Sequence, residues 1–282
     1  MPELPEVETI ARGLRPMLTG RCVVNIPHLA AHLAAHLAPV APPAGQSILH
    51  TLVGREIHGV SRRGKLLFLE LAQDEILAFH LRMTGRLGLA PIGMPPGPHV
   101  HLLLDLDNGS SLYFQDQRKF GTCALFTPDQ LAGWPFFHDL GPEPLGLTPE
   151  QFARQIAGKT SRIKALLLDQ RIIAGIGNIY ADESLFRSRI HPATPANQLT
   201  RRHRYQLLAA IQSVLQEAIA AGGSSIRDYR TAAGLVGTFQ DTFEVYGRKG
   251  LPCKRCNRPL QTTKVAGRTT CFCPSCQAIE GG

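Results

Sequence analysis

Val100-His-Leu-Leu-Leu-Asp-Leu-Asp-Asn-Gly-Ser-Ser-Leu-Tyr-Phe-Gln-Asp116 sets two apolar runs on either side of Asn108-Gly109. Asn-Gly favours a chain reversal because both residues tolerate positive φ, so Val100–Asp107 and Ser111–Asp116 read as a β-hairpin. Upstream, Lys65–Leu71 and Glu75–Met83 are a second pair of apolar runs joined by a polar turn. The strand pattern extends from about residue 52 to residue 127. Ahead of it Val7, Ile10, Leu14 and Met17 recur at helical spacing, and Pro5 suits a first turn. Pro5–Leu18 therefore reads as one amphipathic helix at the front edge of a β-sandwich.

Beyond this half the pattern changes. Residues 133–147 contain three prolines and three glycines and read as a linker. Helical periodicity follows over Thr160–Gln170, Asn178–Arg187 and Thr200–Ala221, the last with Leu207, Ile211, Val214 and Leu215 on one face. A glycine-rich stretch (222–237) and a cysteine cluster close the chain. The expected organisation is α+β and multidomain: a β-sandwich over 1–132, a linker over 133–147, a helical domain over 148–245 and a zinc β-hairpin knuckle over 246–282.

The 282 residues include 30 Lys and Arg against 22 Asp and Glu, a formal charge of +8, with 44% hydrophobic residues. That composition supports a packed core and excludes global disorder. No apolar run approaches the ~20 residues that span a bilayer. Met-Pro-Glu-Leu-Pro-Glu has neither the basic start nor the apolar stretch of a secretory signal, so a cytoplasmic protein is expected. The basic surplus points toward a polyanion.

Cys253-x-x-Cys256, 16 intervening residues and Cys273-x-x-Cys276 have the spacing of a closed tetrahedral zinc site. Four thiolates leave no position for a reactive water, so one structural Zn²⁺ is expected. Cys271 is a possible competitor for a ligand place. The knuckle is basic: Tyr246–Cys276 carries seven Lys and Arg and no acidic residue. His28, His32 and His36 are four residues apart in an alanine- and proline-rich stretch, His28–Ala44. On one helix face they could form a metal site; a biased surface insertion is preferred, since no carboxylate or cysteine accompanies them.

Ile172-Ile-Ala-Gly-Ile-Gly-Asn-Ile-Tyr180 joins two of the expected helices. Gly175 and Gly177 allow close backbone approach, and Asn178 sits where the next helix begins, a place that suits either an ordinary cap or a bound phosphate. Lys159, Arg162 and Lys164 lie nearby and favour phosphate.

The N-terminus carries the reactive chemistry. Removal of Met1 would expose the secondary amine of Pro2. An α-amino group has a pKa of about 7.7–8.0 against about 10.4 for lysine, so it is far more often neutral at pH 7. Such an amine can attack the anomeric carbon of a sugar and form an iminium, an electron sink that promotes loss of flanking phosphates. Glu3 is placed to serve as general acid or base at the same carbon.

With these residues the chain resembles the bacterial formamidopyrimidine-DNA glycosylase family, bifunctional glycosylase/AP lyases that excise oxidised purines. The likeness rests on Pro2-Glu-Leu-Pro-Glu-Val-Glu-Thr9, Ser61-Arg-Arg-Gly-Lys65, His80-Leu-Arg-Met-Thr-Gly85, Asp116-Gln-Arg-Lys-Phe-Gly121, Gly175-Ile-Gly-Asn-Ile-Tyr-Ala-Asp-Glu183, Val245-Tyr-Gly-Arg-Lys-Gly250 and the cysteine pairs. The resemblance implies a helix-two-turn-helix in the second half and a substrate of double-stranded DNA bearing oxidised purines or abasic sites, acted on by a monomer. It also implies that Pro2 is the Schiff-base nucleophile, Glu3 the proton donor, Lys65 a residue of β-elimination, and Arg268 one of δ-elimination and phosphate binding. His99, Arg118, Lys159 and Asn178 match DNA contacts, with the register at Lys159 open by one position beside Thr160. Met83, Arg118 and Phe120 match the side chains that fill the space left by an extruded base. Residues 222–239 correspond to a loop that closes over the lesion. Two other readings are an endonuclease VIII-like enzyme for oxidised pyrimidines and a catalytically silent damage binder. Leu4 and the Met83/Arg118/Phe120 set favour the purine branch, and intact Pro2, Glu3 and Lys65 argue against a silent binder.

Overall fold

The computed structural model describes residues 2–34, 51–225 and 236–279. The chain divides into two compact units, Met1–His138 with Gly222–Gly237, and Asp139–Ala221 with Thr238–Gly282.

In the first unit, helix α1 (Leu4–Leu18) buries Leu4, Val7, Ile10, Ala11, Leu14 and Leu18, one stripe at helical spacing. It lies along strand β2 (Glu56–Arg63): Arg15 Nε donates to the Val60 carbonyl at 2.9 Å, and Arg62 Nε reaches Glu8 at 2.8 Å. The remaining strands are β1 (Arg21–Leu29), β3 (Leu66–Leu71), β4 (Ile76–His80), β5 (Gly85–Pro91), β6 (Val100–Leu106), β7 (Ser110–Asp116) and β8 (Thr122–Phe126). Their order is β5-β7-β6-β1-β2-β3-β4-β8, and every pairing is antiparallel. β1 pairs β2 only through Arg21 and Cys22, then pairs β6 from Val23 onward with register shifts after Val23 and Asn25. Those irregularities let one strand serve both halves of the sheet. Phe79 of β4 and Phe114 of β7 stand far apart in strand order, yet their ring centroids are 5.6 Å apart. The two halves therefore face each other over one core, which is the expected β-sandwich.

Several local features differ from the sequence reading. β1 was not anticipated, although Val23, Val24 and Ile26 are β-branched. The β6–β7 reversal is a type of turn with one more residue than a bare Asn-Gly: the Gly109 N–H bonds the Leu106 carbonyl at 3.2 Å and Gly109 takes φ 79°. The run read as Glu75–Met83 ends as a strand at His80, and Arg82, at φ 49°, turns the chain so that Met83 sits at a tip. His28 lies in β1 and bonds the Val100 carbonyl at 3.0 Å, while His32 lies in the short helix α2 (Ala31–Ala34). These two do not share a helix face; His36 and the rest of the stretch through Ala44 lie outside the described residues.

The expected linker is partly folded onto the first unit. Between helices α3 (Pro128–Gly133) and α4 (Pro135–His138) Trp134 stacks on Phe126 at 5.1 Å, and Phe137 of α4 stands edge-on to Phe68 at 5.9 Å. The start of the glycine-rich segment, expected with the helical half, lies with the first unit, where Ser224 bonds Glu6 of α1. Residues 226–235 lie outside the described set.

The second unit contains α5 (Pro149–Ile156), α6 (Ile163–Leu168), α7 (Asn178–Arg187) and α8 (Arg201–Ala220), with a hairpin of β9 (Gln261–Val265) and β10 (Arg268–Phe272). α5 was not foreseen, although Thr148-Pro-Glu-Gln151 is a capping box: Thr148 Oγ1 accepts from the Gln151 N–H at 3.2 Å and Gln151 returns a bond to the Thr148 N–H at 2.9 Å. α6 is shorter than the expected Thr160–Gln170. Among the described residues no helix is long and apolar enough to cross a membrane.

Because Phe79 is fully buried where the two halves of the sheet meet, Phe79→Ala is expected to lower stability by about 3–5 kcal/mol, read from urea unfolding midpoints.

Candidate functional site

Pro2 is buried, and Glu3 and Glu6 are only 2% and 1% exposed. Their burial follows from the helix start. Glu6 Oε2 accepts from the Glu3 N–H at 2.9 Å, satisfying one of the donors a helix N-terminus leaves open. Glu6 Oε1 accepts from both the N–H and the hydroxyl of Ser224, at 2.8 and 3.0 Å. Glu6 had no role in the sequence reading; its place three residues into a helix after Glu3 is the only signal it gives.

Lys65 occupies the two-residue turn between β2 and β3, where Gly64 takes φ 58°, and is buried. The neighbouring strand brings His80 to the same end, since Leu66 pairs with His80. His80 Nδ1 accepts from the Arg82 N–H at 3.0 Å, which leaves the imidazole proton on Nε2. Burial first, then the positive charges of Arg82 and Lys65, lower the His80 pKa to about 3, so the ring is a neutral donor at physiological pH. The sequence offered His80 only as part of a motif, and a lone histidine in an apolar run gave no reason to single it out.

The three expected wedge residues are all solvent-facing. Met83 is 40% and Phe120 54% exposed, and the Arg118 guanidinium lies 4.8 Å from the Phe120 ring centroid. His99 is exposed with φ 82°.

In the second unit the sequence-predicted cations separate. Lys164 is fully buried: its Nζ pairs with Asp182 at 2.7 Å and donates to Thr270 Oγ1 at 2.8 Å and the Thr269 carbonyl at 3.2 Å. It is structural and does not face solvent as a phosphate ligand would. Lys159 is half-buried, and Arg162 and Thr160 are exposed. Gln170 organises the turn before α7 by accepting from the Gly175 N–H at 2.9 Å and donating to the Ile176 carbonyl at 2.8 Å. Asn178 opens α7, and its Nδ2 donates to the Thr269 carbonyl at 3.0 Å.

α7 also fixes the knuckle. Asp182 Oδ2 accepts from the Cys271 N–H at 3.0 Å. Glu183 accepts from the Glu244, Val245 and Tyr246 N–H groups at 2.9, 3.0 and 2.8 Å. Burial raises both carboxyls, Asp182 to about 6 against the pull of Lys164. Buried acids in mid-helix break helical amphipathicity, so a periodicity reading passes over them. Arg268 is exposed beside the β9–β10 turn, where Ala266 and Gly267 take φ 50° and 71°.

The Sγ atoms of Cys253, Cys256, Cys273 and Cys276 all lie within 4.8 Å of one another, with Cys253–Cys276 at 3.9 Å and Cys256–Cys273 at 3.5 Å. A tetrahedral site with Zn–S of about 2.3 Å has sulfur edges of about 3.8 Å, so the set fits zinc. The Arg255 N–H points to Cys253 Sγ and the Cys276 N–H to Cys273 Sγ, each at 3.4 Å. Cys271 is not in the set. β10 ends at Phe272, which breaks the alternation with Cys273, and the Cys271 side chain packs in a small core with Phe186, Val245 and Leu260. Its thiol is pushed up to about 11 by burial.

Two outcomes are expected. Between pH 6.5 and about 3 the unfolded chain binds a proton at His80 that the folded chain refuses. This histidine therefore contributes stability that is present above pH 6.5 and is lost as pH falls, at up to about 1.4 kcal/mol per pH unit. His80→Gln should flatten that slope in urea titrations run from pH 7 to pH 4.5. Metal analysis should find one zinc per wild-type chain and well under one for Cys256→Ser, with faster amide exchange in β9 and β10.

Residues 1–123 match the family model for the formamidopyrimidine-DNA glycosylase N-terminal domain, residues 140–230 its H2TH domain, and residues 250–279 a zinc finger found in FPG and IleRS. A formamidopyrimidine-DNA glycosylase of Chloroflexus aurantiacus is 46% identical over 98% of this chain and 98% of its own. A mutant Lactococcus lactis FPG in complex with Fapy-dG containing DNA superimposes with a TM-score of 0.89 at 38% identity, covering 99% of this chain and 100% of that one. The Lactococcus lactis Fpg bound to DNA containing an abasic site gives 0.88 at 38% identity, with 98% and 100% coverage. A buried Pro2-Glu3 start, a β-sandwich, an H2TH region and a four-cysteine finger thus occur together in family order, and this chain belongs to the formamidopyrimidine-DNA glycosylase family.

Proposed function

We propose that the protein excises oxidised purines, formamidopyrimidines and 8-oxoguanine, from duplex DNA and then cleaves the strand at the abasic sugar. The observation that carries the reading is the N-terminus: Pro2 and Glu3 are buried at the start of α1 in a unit that matches the family's N-terminal domain. The Pro2 nitrogen attacks C1′ of the damaged nucleotide, the glycosidic bond breaks, and the base leaves with its electron pair and a proton. Glu3 supplies and recovers protons at this carbon. The amine then gives up its proton while O4′ takes one and the C1′–O4′ bond opens, leaving a C1′ iminium that acidifies C2′–H. Its removal expels the 3′ phosphate, and a second elimination, from C4′, expels the 5′ phosphate.

Lys65 serves the first elimination and its phosphate, with the Nε2–H of His80 as a neutral donor beside it. Arg268, exposed at the hairpin turn, serves the second. His99, Arg118, Lys159 and Asn178 contact the DNA. The Asn178 side-chain amide donates to the Thr269 carbonyl, so its DNA contact is assigned to its own backbone N–H at the start of α7. Met83, Arg118 and Phe120 fill the space left by the extruded base, which suits their exposure. The zinc holds the finger's shape and takes no chemical step. We assign this work to the cytoplasm, on chromosomal DNA, a reading supported by the relatives being bacterial.

Borohydride reduction of the protein with an abasic or 8-oxoguanine duplex should trap a covalent adduct that mass mapping assigns to Pro2. Retention of wild-type strand cleavage by Pro2→Gly would sink the assignment. Glu3→Gln should slow base excision by about 10²–10⁴-fold. In a lesion panel 8-oxoguanine should be removed ahead of thymine glycol; the reverse order moves the protein to the pyrimidine branch.

A further inference from the structure

Asp116 ends β7 and is 0% exposed. Its Oδ1 accepts from the Thr84 hydroxyl and from the Arg118 N–H at 3.2 Å, and its Oδ2 accepts from the Gly121 N–H at 2.6 Å. The Arg118 N–H also faces Thr84 Oγ1 at 3.3 Å, so the turn that holds Met83 and the loop that holds Arg118 and Phe120 meet at one carboxylate. Its main chain extends the arrangement: the Asp116 N–H donates to the His99 carbonyl at 2.9 Å, and its carbonyl accepts from the Lys119 N–H at 3.3 Å and lies 2.7 Å from His101 Nε2.

These loops need an external anchor. Arg82, His99 and Lys119 all take positive φ, at 49°, 82° and 57°, a conformation that non-glycine residues hold only where surrounding bonds impose it. Met83 and Phe120 project into solvent, so packing does not fix them. A Cβ at Gly121 would stand 2.7 Å from the Phe114 ring and 3.1 Å from Asp116 Oδ2, so the loop closes tightly on the carboxylate.

We propose that Asp116 is the positioning residue of the wedge: a single buried carboxylate that locks Met83, Arg118 and Phe120 into one rigid set before DNA is met. This rests on the void-filling reading of those three side chains. Inserting them competes with restacking of the helix, and a set that had to be assembled during insertion would lose the advantage of preorganisation.

Asp116→Asn keeps the shape but replaces one acceptor oxygen with an amide donor, so at least one loop is released. Excision of 8-oxoguanine from a duplex should fall about tenfold to a hundredfold. Elimination at an abasic site in a single-stranded oligonucleotide, which has no stack to enter, should change less than about threefold on the same reasoning. The fluorescence rise of a 2-aminopurine placed beside the lesion should shrink in parallel. Thr84→Val, which removes one donor and leaves Asp116 in place, should show the same split at smaller size, and thermal unfolding verifies that both variants are folded. Equal loss of duplex and single-strand activities, or normal duplex excision by Asp116→Asn while Met83→Ala is impaired, overturns the positioning role. Normal duplex excision by both Met83→Ala and Phe120→Ala instead overturns the void-filling reading, and this role with it.

Discussion

Lys164 and Asp182 meet at 2.7 Å with 0% and 1% of their side chains exposed, and the second unit is arranged around that pair. Removing two charges from water is tolerated only when their remaining donors and acceptors are taken up. Here the uptake comes from the hairpin: Lys164 also reaches Thr269 and Thr270, and Asp182 also takes the Cys271 N–H. One residue further along α7, Glu183 gathers three successive backbone N–H groups of the segment that leads into the finger. The zinc cluster closes the finger on itself, and α7 determines which way it points. An apolar contact of similar area would hold the pieces together without fixing their rotation. Directional bonds to buried charge fix both.

The first unit solves a related problem with carboxylates that gather backbone and hydroxyl donors. Glu6 accepts three hydrogen bonds from Glu3 and Ser224, and Asp116 accepts from Thr84, Arg118 and Gly121. In each case the acid sits at the end of a regular element and collects donors from chain that has no ladder partner. Irregular backbone thereby becomes as well defined as the strands that flank it. The exposed side chains on those segments acquire fixed positions without burial of their own.

Much of this was legible in the sequence where the signal is local. The Pro5–Leu18 stripe, the Asn108-Gly109 reversal, the start of α7 at Asn178 and the paired cysteines each follow from spacing and side-chain chemistry alone. What escaped was set by distant partners. Lys164 reads as one more surface cation beside Lys159 until Asp182 is brought against it. His80 reads as part of a strand until the Arg82 N–H fixes its tautomer. β1 was missed because its pairing changes from β2 to β6 after two residues, which spoils simple alternation. Chain order puts Ser224 with the helical half, and its bonds to Glu6 show that it belongs to the first unit.

Those bonds join residues 218 positions apart, and they make the first unit discontinuous in the gene. At about 5–20 residues per second, a ribosome takes roughly 10–40 s to travel from one partner to the other. For that interval the nascent sandwich has the Glu6 carboxylate in place and no Ser224 to meet it. The buried N-terminus, with Pro2 and Glu3, reaches its final environment only after about four-fifths of the chain has been made. Completion of this N-terminal environment is thus timed by a segment encoded 218 codons downstream.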